Sequence, residues 1–367
     1  MISHTANLVV SLTIAEGIGA FRRTIGNEAV LTMKVDSDKV RRYFERAFVR
    51  WVFNAIRANK NPFTSPIEWD DFVSQKDIAY LLQRDPALNH IDISKLDWTW
   101  ISTRFQTIHS VAHNLEAKDS PSRVEVKKDA RHVTLRYVWS EDGWKRPLEY
   151  SLSLKHYENI KMLYQGPLNK FHDYLLITFA RYAACGATNN HCSAPPDVIV
   201  FCGAKTELFG SPVNAVTQQY CSPFEDIEKY FGSLGSFFNF RISAGIYFMN
   251  PPYDEDLILS AMQKIIAVFK TTIPITVVMV IPMWDVSGQE KYRGRVHIVK
   301  EYEALELIEK SGFIRSKTVL GYQSHLFFDY YTDCYKVIAD TYLIVASNTD
   351  YQISALEIST KWLEVTN

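Results

Sequence analysis

The amino-terminal part of the chain carries apolar residues at helical intervals. Residues 34–60 are predicted to form a helix that Asp36 or Ser37 caps. Its apolar positions are Val40, Phe44, Phe48, Trp51 and Val52. Residues 66–116 are also predicted to be mainly helical, with short breaks at 85–86 and 90–92. The pattern therefore favours a mainly helical beginning.

The pattern then changes to alternation, which is typical of strands. Residues 122–139 alternate between apolar and polar positions, and a second apolar run covers residues 148–154. The turn-forming residues 141–143 lie between the two runs. The sequence therefore predicts a β-hairpin here.

Strands and helices alternate in the second half of the chain. A helix is predicted over residues 169–184, and two more over Glu255–Lys270 and Lys300–Lys310. The predicted strands are Glu207–Gly210, Gly245–Met249, Ile275–Ile281, Phe313–Val319, His325–Tyr330 and Asp340–Ala346. This order is typical of an α/β doubly wound sheet.

Two domains and a tail follow from these patterns. Gly166-Pro167 interrupts the chain between the two kinds of pattern, so a boundary is predicted near residue 165. Residues 1–165 form a mainly helical domain, residues 166–350 an α/β domain, and the pattern leaves the tail 351–367 unassigned.

Composition agrees with a globular protein, and the charge is distributed unevenly along the chain. Hydrophobic residues make up 47% and charged residues 22% of the 367, which excludes wholesale disorder. Residues 1–165 hold 24 Lys and Arg against 20 Asp and Glu, whereas the remainder holds 16 against 21. The basic residues of the first predicted helix fit either a solvated face or an RNA contact. They are Arg41, Arg42, Arg46, Arg50, Arg57 and Lys60.

Cysteine usage and hydropathy bear on the compartment. The five cysteines are odd in number and form no CxxC pair, so neither a disulfide framework nor a zinc site is indicated. The apolar run at residues 7–14 is too short to span a membrane and lacks the basic residues of a signal peptide. We therefore expect an intracellular, reducing compartment and no membrane partner.

The tetrapeptide Asn250-Pro251-Pro252-Tyr253 is the sharpest chemical motif. It follows an apolar strand and precedes a helix, the position where ligands bind in open α/β sheets. The prolines stiffen the turn, so the Asn250 side chain and backbone carbonyls can converge on an amine while Tyr253 offers a stacking face. This combination suits the N6 amine of adenine. A strand-ending turn with a buried tyrosine is the alternative interpretation of the same four residues.

Further segments surround this motif in a fixed order. They are ELFGSPVN at 207–214, QYCSPF at 219–224, YFGSLGSFF at 230–238, NPPY at 250–253 and VIPMW at 280–284. The succession resembles the family of the cap-specific adenosine N6-methyltransferase, also called phosphorylated CTD-interacting factor 1. The resemblance implies a Rossmann-like methyltransferase domain that uses S-adenosylmethionine. It also implies methylation of N6 on a 2′-O-methyladenosine next to a 7-methylguanosine cap.

The resemblance and the strand ends together indicate where the methyl donor binds. No GxGxG occurs, so Ser211, Pro212 and Asn214 after the first strand are the expected donor loop. Asp226 and Glu228 are alternatives for the donor's ribose, each of which is equally well explained as an acid at a helix start. Phe209, Phe231 and Asn250 complete the expected cofactor site.

Capped RNA would need cations for phosphate and aromatic rings for the bases. The candidates for the RNA site, each of which also fits an ordinary surface or core role, are Arg181, Lys205, Trp284, Lys291, Arg293, Arg295, Gln323 and His325. No metal is expected.

The chain departs from the family pattern in three ways. Tyr253 replaces a phenylalanine, Met283 replaces a glutamate, and no pair of spaced tryptophans with a trailing proline forms a WW domain. We therefore expect no binding to the phosphorylated polymerase tail through such a domain. Two alternatives stay open, namely the same chemistry on internal RNA or DNA, and a catalytically silent RNA-binding relative.

Overall fold

The computed structural model describes residues 8–33, 37–65, 92, 94, 96–116, 124–137, 148–186, 191–284 and 302–366. These residues form two compact units. One comprises residues 1–151 and 166–188, and the other residues 152–165 and 189–367. The chain therefore crosses between the units three times, and each unit is described by itself.

The helices and strands are numbered in chain order. The helices are α1 Leu8–Met33, α2 Ser37–Arg57, α3 Trp98–Glu116, α4 Leu154–Leu163, α5 Phe171–Ala184, α6 Pro196–Phe201, α7 Glu225–Glu228, α8 Glu255–Phe269, α9 Glu303–Lys310 and α10 Ala355–Thr366. The strands are β1 Glu125–Lys128, β2 His132–Tyr137, β3 Leu148–Ser153, β4 Cys192–Ser193, β5 Thr206–Glu207, β6 Gln219–Tyr220, β7 Gly245–Met249, β8 Ile275–Pro282, β9 Ile314–Leu320, β10 Phe327–Asp329, β11 Cys334–Lys336 and β12 Thr341–Ser347.

In the first unit, α1 is the central helix and packs against α2, α3 and α5. Its buried side chains recur at intervals of three and four residues, as a packed helix requires. They are Ile14, Ile18, Phe21, Ile25 and Ala29. The helices approach closely where α1 carries glycine, since a Cβ on Gly26 would lie 2.7 Å from Cγ of Arg41. An aromatic cluster fills the core, with Trp51 meeting Phe105 edge to face at 4.9 Å between ring centroids.

The first unit also contains a three-stranded sheet in the order β1-β2-β3. β1 and β2 pair antiparallel across a turn at Asp129, whose carboxylate accepts hydrogen bonds from the backbone of Arg131 and His132 at 2.7 Å each. The predicted pairing of these two segments is confirmed, since β2 and β3 are neighbours in the sheet, but the Asp-stabilised turn divides the alternating segment 122–139 into two strands. The predicted turn at 141–143 and the predicted helix over 66–91 lie outside the described residues.

The second unit is built on a six-stranded sheet in the order β6-β5-β7-β8-β12-β9. β6, β5, β7 and β8 are parallel, and β12 runs antiparallel to both of its neighbours. After β5 the chain moves outward to β6, and after β7 it moves the other way to β8. The strand order therefore reverses between β5 and β7.

Both faces of this sheet are covered by helices. Val277, Met279 and Ile281 belong to one core with α8 and α9. Val278 and Val280 belong to the opposite core with α6 and α10. Because β8 and β12 are buried on both faces, their sequences are continuous apolar runs, as is typical of central strands. The mixed helix-and-sheet class expected from the sequence is confirmed.

Three boundaries differ from the sequence predictions. β5 ends at Glu207, so residues 208–210 belong to the following loop. The strand predicted at 325–330 is β10, which lies in a separate small sheet of order β11-β10-β4. The unassigned tail contains α10, whose buried Trp362 donates to the carbonyl of Leu326 at 2.7 Å.

The predicted boundary near residue 165 also requires a correction. α5 belongs to the first unit because it packs along α1, where a Cβ on Gly19 would lie 3.3 Å from Cα of Ala184. α4 belongs to the second unit, and the residue that follows it closely, Gln165, donates to the carbonyl of Tyr230 at 2.7 Å.

Candidate functional site

Three segments meet at the carboxyl ends of the parallel strands. Residues 208–214 follow β5, residues 250–253 follow β7, and residues 283–284 follow β8. The first two leave neighbouring strands, since the backbone of Leu208 donates to the carbonyl of Phe248 at 2.8 Å. They flank the point where the strand order reverses, which is where open α/β sheets bind ligands.

In the side-chain amide of Asn250, the nitrogen is hydrogen-bonded and the oxygen has no partner among the described residues. Its Nδ2 donates to Oγ of Ser193 at 3.2 Å. Its Oδ1 is buried and accepts no hydrogen bond from any described residue. Because a buried acceptor without a donor is costly, this oxygen is suited to receive a hydrogen bond from a ligand.

The turn after Asn250 is fixed by helix capping. The carboxylate of Asp254 accepts from the backbone of Leu257 at 3.1 Å and so caps α8. The backbone of Asp254 donates to the carbonyl of Pro252 at 2.8 Å. These bonds and the two proline rings restrict the backbone on both sides of Tyr253.

Aromatic rings line the ends of β7 and β8. The rings of Tyr253 and Trp284 meet edge to face, with centroids 6.3 Å apart. Trp284 also contacts the ring of Tyr302, at 5.7 Å between centroids. Two rings predicted to contact substrate are therefore brought together by the fold, and Tyr302 joins them from outside the motifs.

The loop after β5 is held by its own polar side chains. Oγ of Ser211 donates to Oδ1 of Asn214 at 2.8 Å and accepts from the backbone of Val213 at 3.2 Å. Both Ser211 and Asn214 are buried. Their hydroxyl and amide shape the loop, and their direct contact with a donor molecule stays a prediction.

Glu207 anchors the far end of the same loop. Its buried carboxylate accepts from the backbones of Val216 and Thr217 at 2.6 and 2.8 Å, and from the Thr217 hydroxyl at 3.0 Å. Burial raises the pKa of Glu207 to about 7 despite these three bonds, which favour the ionised form. The sequence pattern predicts only a strand at Glu207, because bonds to residues nine and ten positions away leave no local signal.

The segment after β6 carries three of the residues predicted to contact the methyl donor. Glu228 is buried and accepts from the backbone of Phe224 at 2.9 Å, so it stabilises the start of α7. Asp226 on the same helix is partly exposed. Phe231 is buried against the ring of Tyr164 at 5.0 Å, which gives it a packing role. Of these three, Asp226 has the exposure that a ribose contact needs.

Phe209 belongs to an aromatic cluster at the end of β5. Its ring lies 4.9 Å from that of Phe237 and 6.2 Å from that of Phe238. The ammonium group of Lys264 fixes the segment that supplies these rings. It donates to the carbonyls of Phe237, Phe238 and Phe240 at 2.5, 2.9 and 2.7 Å.

Several predicted RNA contacts lie away from these strand ends. Lys205 precedes β5 and pairs with Ile246, at the opposite end of the strands from Asn250. Arg181 belongs to the first unit, where its buried guanidinium lies over the ring of Phe63 at 5.7 Å. Lys291, Arg293 and Arg295 lie outside the described residues.

His325 is also occupied within the protein. Its Nε2 bonds with the hydroxyl of Ser359 on α10 at 2.8 Å, and its Nδ1 with that of Ser324 at 2.9 Å. The ring is buried, so packing under α10 accounts for it. Gln323 beside it is exposed and donates to the hydroxyl of Tyr322.

The structure shows a further histidine next to the donor loop. His156 on α4 is buried, and burial lowers its pKa to about 4 although the backbone of Val213 and two nearby carboxylates oppose this shift.

Within the described residues, no group of three or more His, Cys, Asp and Glu side chains lies together as a metal site. None of the described helices is long and apolar enough to cross a membrane.

The site and sheet define an α/β protein with a buried, unpaired acceptor oxygen, Oδ1 of Asn250, at the reversal of strand order. Residues 155–330 match the family model described as phosphorylated CTD interacting factor 1 WW domain. The chain is therefore similar to this family over 176 of its 367 residues. The matched span contains one tryptophan, Trp284, so the expectation about a WW domain stays a prediction.

Two curated relatives carry the same printed name, mRNA (2′-O-methyladenosine-N(6)-)-methyltransferase. The mouse protein is 35% identical over 85 residues, which cover 22% of this chain. The human protein is 34% identical over 87 residues, again 22% of this chain. The matched part spans 12% of the length of each relative.

Proposed function

We propose that this chain is an RNA adenosine N6-methyltransferase that uses S-adenosylmethionine. The observation that carries the proposal is the buried, unpaired Oδ1 of Asn250 at the reversal of strand order, beside the ring of Tyr253. An exocyclic amine supplies the hydrogen that this oxygen lacks, and an aromatic face clamps the attached base.

We propose a Rossmann-like arrangement for the second unit. Four parallel strands, with the crevice between the β5 and β7 loops, support this assignment. An isolated parallel bridge between Tyr220 and Ser233 extends the sheet beyond β6. The usual place for the donor in such a sheet is at the ends of the strands on the β5 side.

The residues at those ends fit S-adenosylmethionine. The partly exposed carboxylate of Asp226 after β6 suits the ribose hydroxyls, and the partly buried Phe209 suits the adenine ring. The Ser211–Asn214 loop supplies the shape of the pocket. When bound, the donor supplies an electrophilic methyl group on a sulfonium.

The residues of the chain perform orientation rather than proton abstraction. Asn250 Oδ1 and a carbonyl of the proline turn accept from the N6 amine, which directs its lone pair toward the methyl group. Tyr253 holds the plane of the base. The nitrogen loses its proton to water after transfer, so no strong base is needed.

The acceptor is proposed from the relatives' printed name. It specifies a 2′-O-methyladenosine in mRNA, and we propose an RNA whose 5′ end carries 7-methylguanosine followed by A. The basic balance of residues 1–165 supports an additional RNA contact. The five cysteines, all described and none in a disulfide, support an intracellular, reducing compartment.

Internal RNA or DNA is the second candidate acceptor. A flexible adenosine from either can enter the same pocket, since Asn250 and Tyr253 recognise only the base. A silent RNA-binding relative is the third candidate. The intact Asn250–Tyr253 motif with its unpaired oxygen argues against it.

A methyl-transfer assay on matched RNAs tests the proposal. One RNA begins with 7-methylguanosine and A, one with a triphosphate and A, and one with a cap followed by G. We expect N6-methyladenosine as the product and a kcat/KM at least about tenfold higher on the capped A RNA, because linked cap and base sites reinforce each other. Equal rates on the first two RNAs would favour internal RNA or DNA as the acceptor. No transfer to any adenosine would favour a catalytically silent RNA-binding protein.

A further inference from the structure

Ser193 holds the side-chain amide of Asn250 from outside all of the sequence motifs. The two residues are 57 positions apart, and Oγ of Ser193 accepts from Nδ2 of Asn250 at 3.2 Å. Ser193 is 3% exposed, so water does not compete readily for this bond. In this pairing the amide nitrogen faces Ser193, and Oδ1 is the atom left without a partner among the described residues.

Two contacts fix the backbone of the segment that carries Ser193. In β4, Ser193 is opposite Phe328 of β10 in an antiparallel pair. The hydroxyl of Tyr330 donates to the carbonyl of the next residue, Ala194, at 2.7 Å. The small sheet therefore gives Ser193 a fixed backbone position, which a loop residue would not have.

We propose that Ser193 is a positioning residue for Asn250. By accepting from Nδ2, it turns Oδ1, which has no partner among the described residues, toward the position of the adenine amine. A flipped amide would present Nδ2, a donor, to another donor. This inference rests on the proposed function and adds a residue that orients the acceptor without touching the base.

Ser193→Ala is the test variant, and Ser347→Ala is its matched control. Ser347 is a buried serine at the end of β12 in the six-stranded sheet, at the opposite end of the strands from Asn250, and its hydroxyl is bonded to Ile275 and Thr276. Both variants lose one buried hydroxyl. Only Ser193→Ala is expected to lower kcat, by about tenfold, with the KM for S-adenosylmethionine unchanged.

A double-mutant cycle supplies the specific readout. If Ser193 acts through Asn250, Ser193→Ala has little further effect on kcat once Asn250 is alanine. Ser193→Thr retains the oxygen and is expected to recover part of the activity. Independent, multiplying effects of the two alanine variants would overturn the inference, as would equal kcat losses in Ser193→Ala and Ser347→Ala.

Failure of the inference is distinct from failure of the proposed function. A wild-type protein that transfers no methyl group to any adenosine overturns the proposed function, and the inference with it. An active wild type with additive variants overturns the inference alone. Thermal unfolding of all variants identifies any loss of folded protein, and kcat is then compared per folded molecule.

Discussion

The rings of Tyr253 and Trp284 meet edge to face at 84°, although the two residues follow different strands. Tyr253 ends the segment after β7, and Trp284 ends the segment after β8. Adjacent parallel strands bring their carboxyl ends to one edge, so residues 31 positions apart become neighbours. The pair braces the ring that we assign to base stacking.

We expect the ring of Tyr253 to matter more than its hydroxyl. Tyr253→Phe should retain most activity, whereas Tyr253→Ala should raise the KM for RNA and lower kcat/KM, since stacking is worth about 1–3 kcal/mol per base. Steady-state kinetics on the capped A RNA measure both variants. Tyr335→Ala, an exposed tyrosine of the small sheet, is the control. Equal damage from Phe and Ala would assign the role to the phenol instead.

Removing the acceptor at position 250 should abolish most of the catalysis. Asn250→Ala is expected to lower kcat/KM by a factor that corresponds to about 2–4 kcal/mol, as for other preorganised polar groups. Asn250→Asp keeps an acceptor oxygen and should lose less. Binding of S-adenosylmethionine, followed by calorimetry, should survive in both. Near-normal turnover in Asn250→Ala contradicts the assignment.

Glu207 should make stability depend on pH. Burial raises its pKa to about 7, so the folded protein keeps a proton that the unfolded chain loses near its ordinary pKa of 4.5. Stability contributed by this group therefore falls as pH rises from about 4.5 to about 7, by at most about 3 kcal/mol.

The variant Glu207→Gln should remove this dependence. Urea unfolding from pH about 5 to about 8 should give a flatter curve for Glu207→Gln than for the wild type. The exposed Glu303→Gln should leave the curve unchanged. Parallel curves for wild type and Glu207→Gln would show that the carboxyl titrates at its ordinary pKa.

The three bonds of Lys264 should make it important for stability. Lys264→Met leaves three carbonyls without their shared donor, and we expect a loss of about 2–3 kcal/mol in the free energy of unfolding. Lys270→Met, which changes an exposed lysine at the end of the same helix, should cost far less. A similar loss in both variants would mean that the carbonyls find water instead.

The basic end of α2 provides the test of RNA contact in the first unit. Arg50 of this helix is buried, so the basic residues of the first predicted helix do not form one solvated face. Arg57 and Lys60 are exposed. Replacing both with Glu should weaken RNA binding and reduce its salt dependence by about one to two phosphate contacts, with the affinity for S-adenosylmethionine unchanged. An unchanged salt slope, compared with the exposed Arg104→Glu control, would give α2 a purely structural role.

Local patterns in the sequence predict many of the helices and strands, and they locate the chemical motif. Periodicity is a local property, so Gly245–Met249 and the helix from Glu255 were predicted with their first residues in place. It also located Asn250–Tyr253 between them, because strand, turn and helix signals are adjacent there. The boundary between units was not local, since the packing of α5 along α1 decided it.

The side chains that meet at the site are set by strand order and packing. Sheet order placed Tyr253 beside Trp284, and the packing of the small sheet brought Ser193 to Asn250 across 57 positions, a separation over which no spacing rule applies. It also placed Lys205 at the far ends of the strands and buried His325 under α10. Residue type indicated what each side chain can do, whereas strand order and packing fixed what it contacts, because these depend on burying apolar faces that lie far apart in the chain.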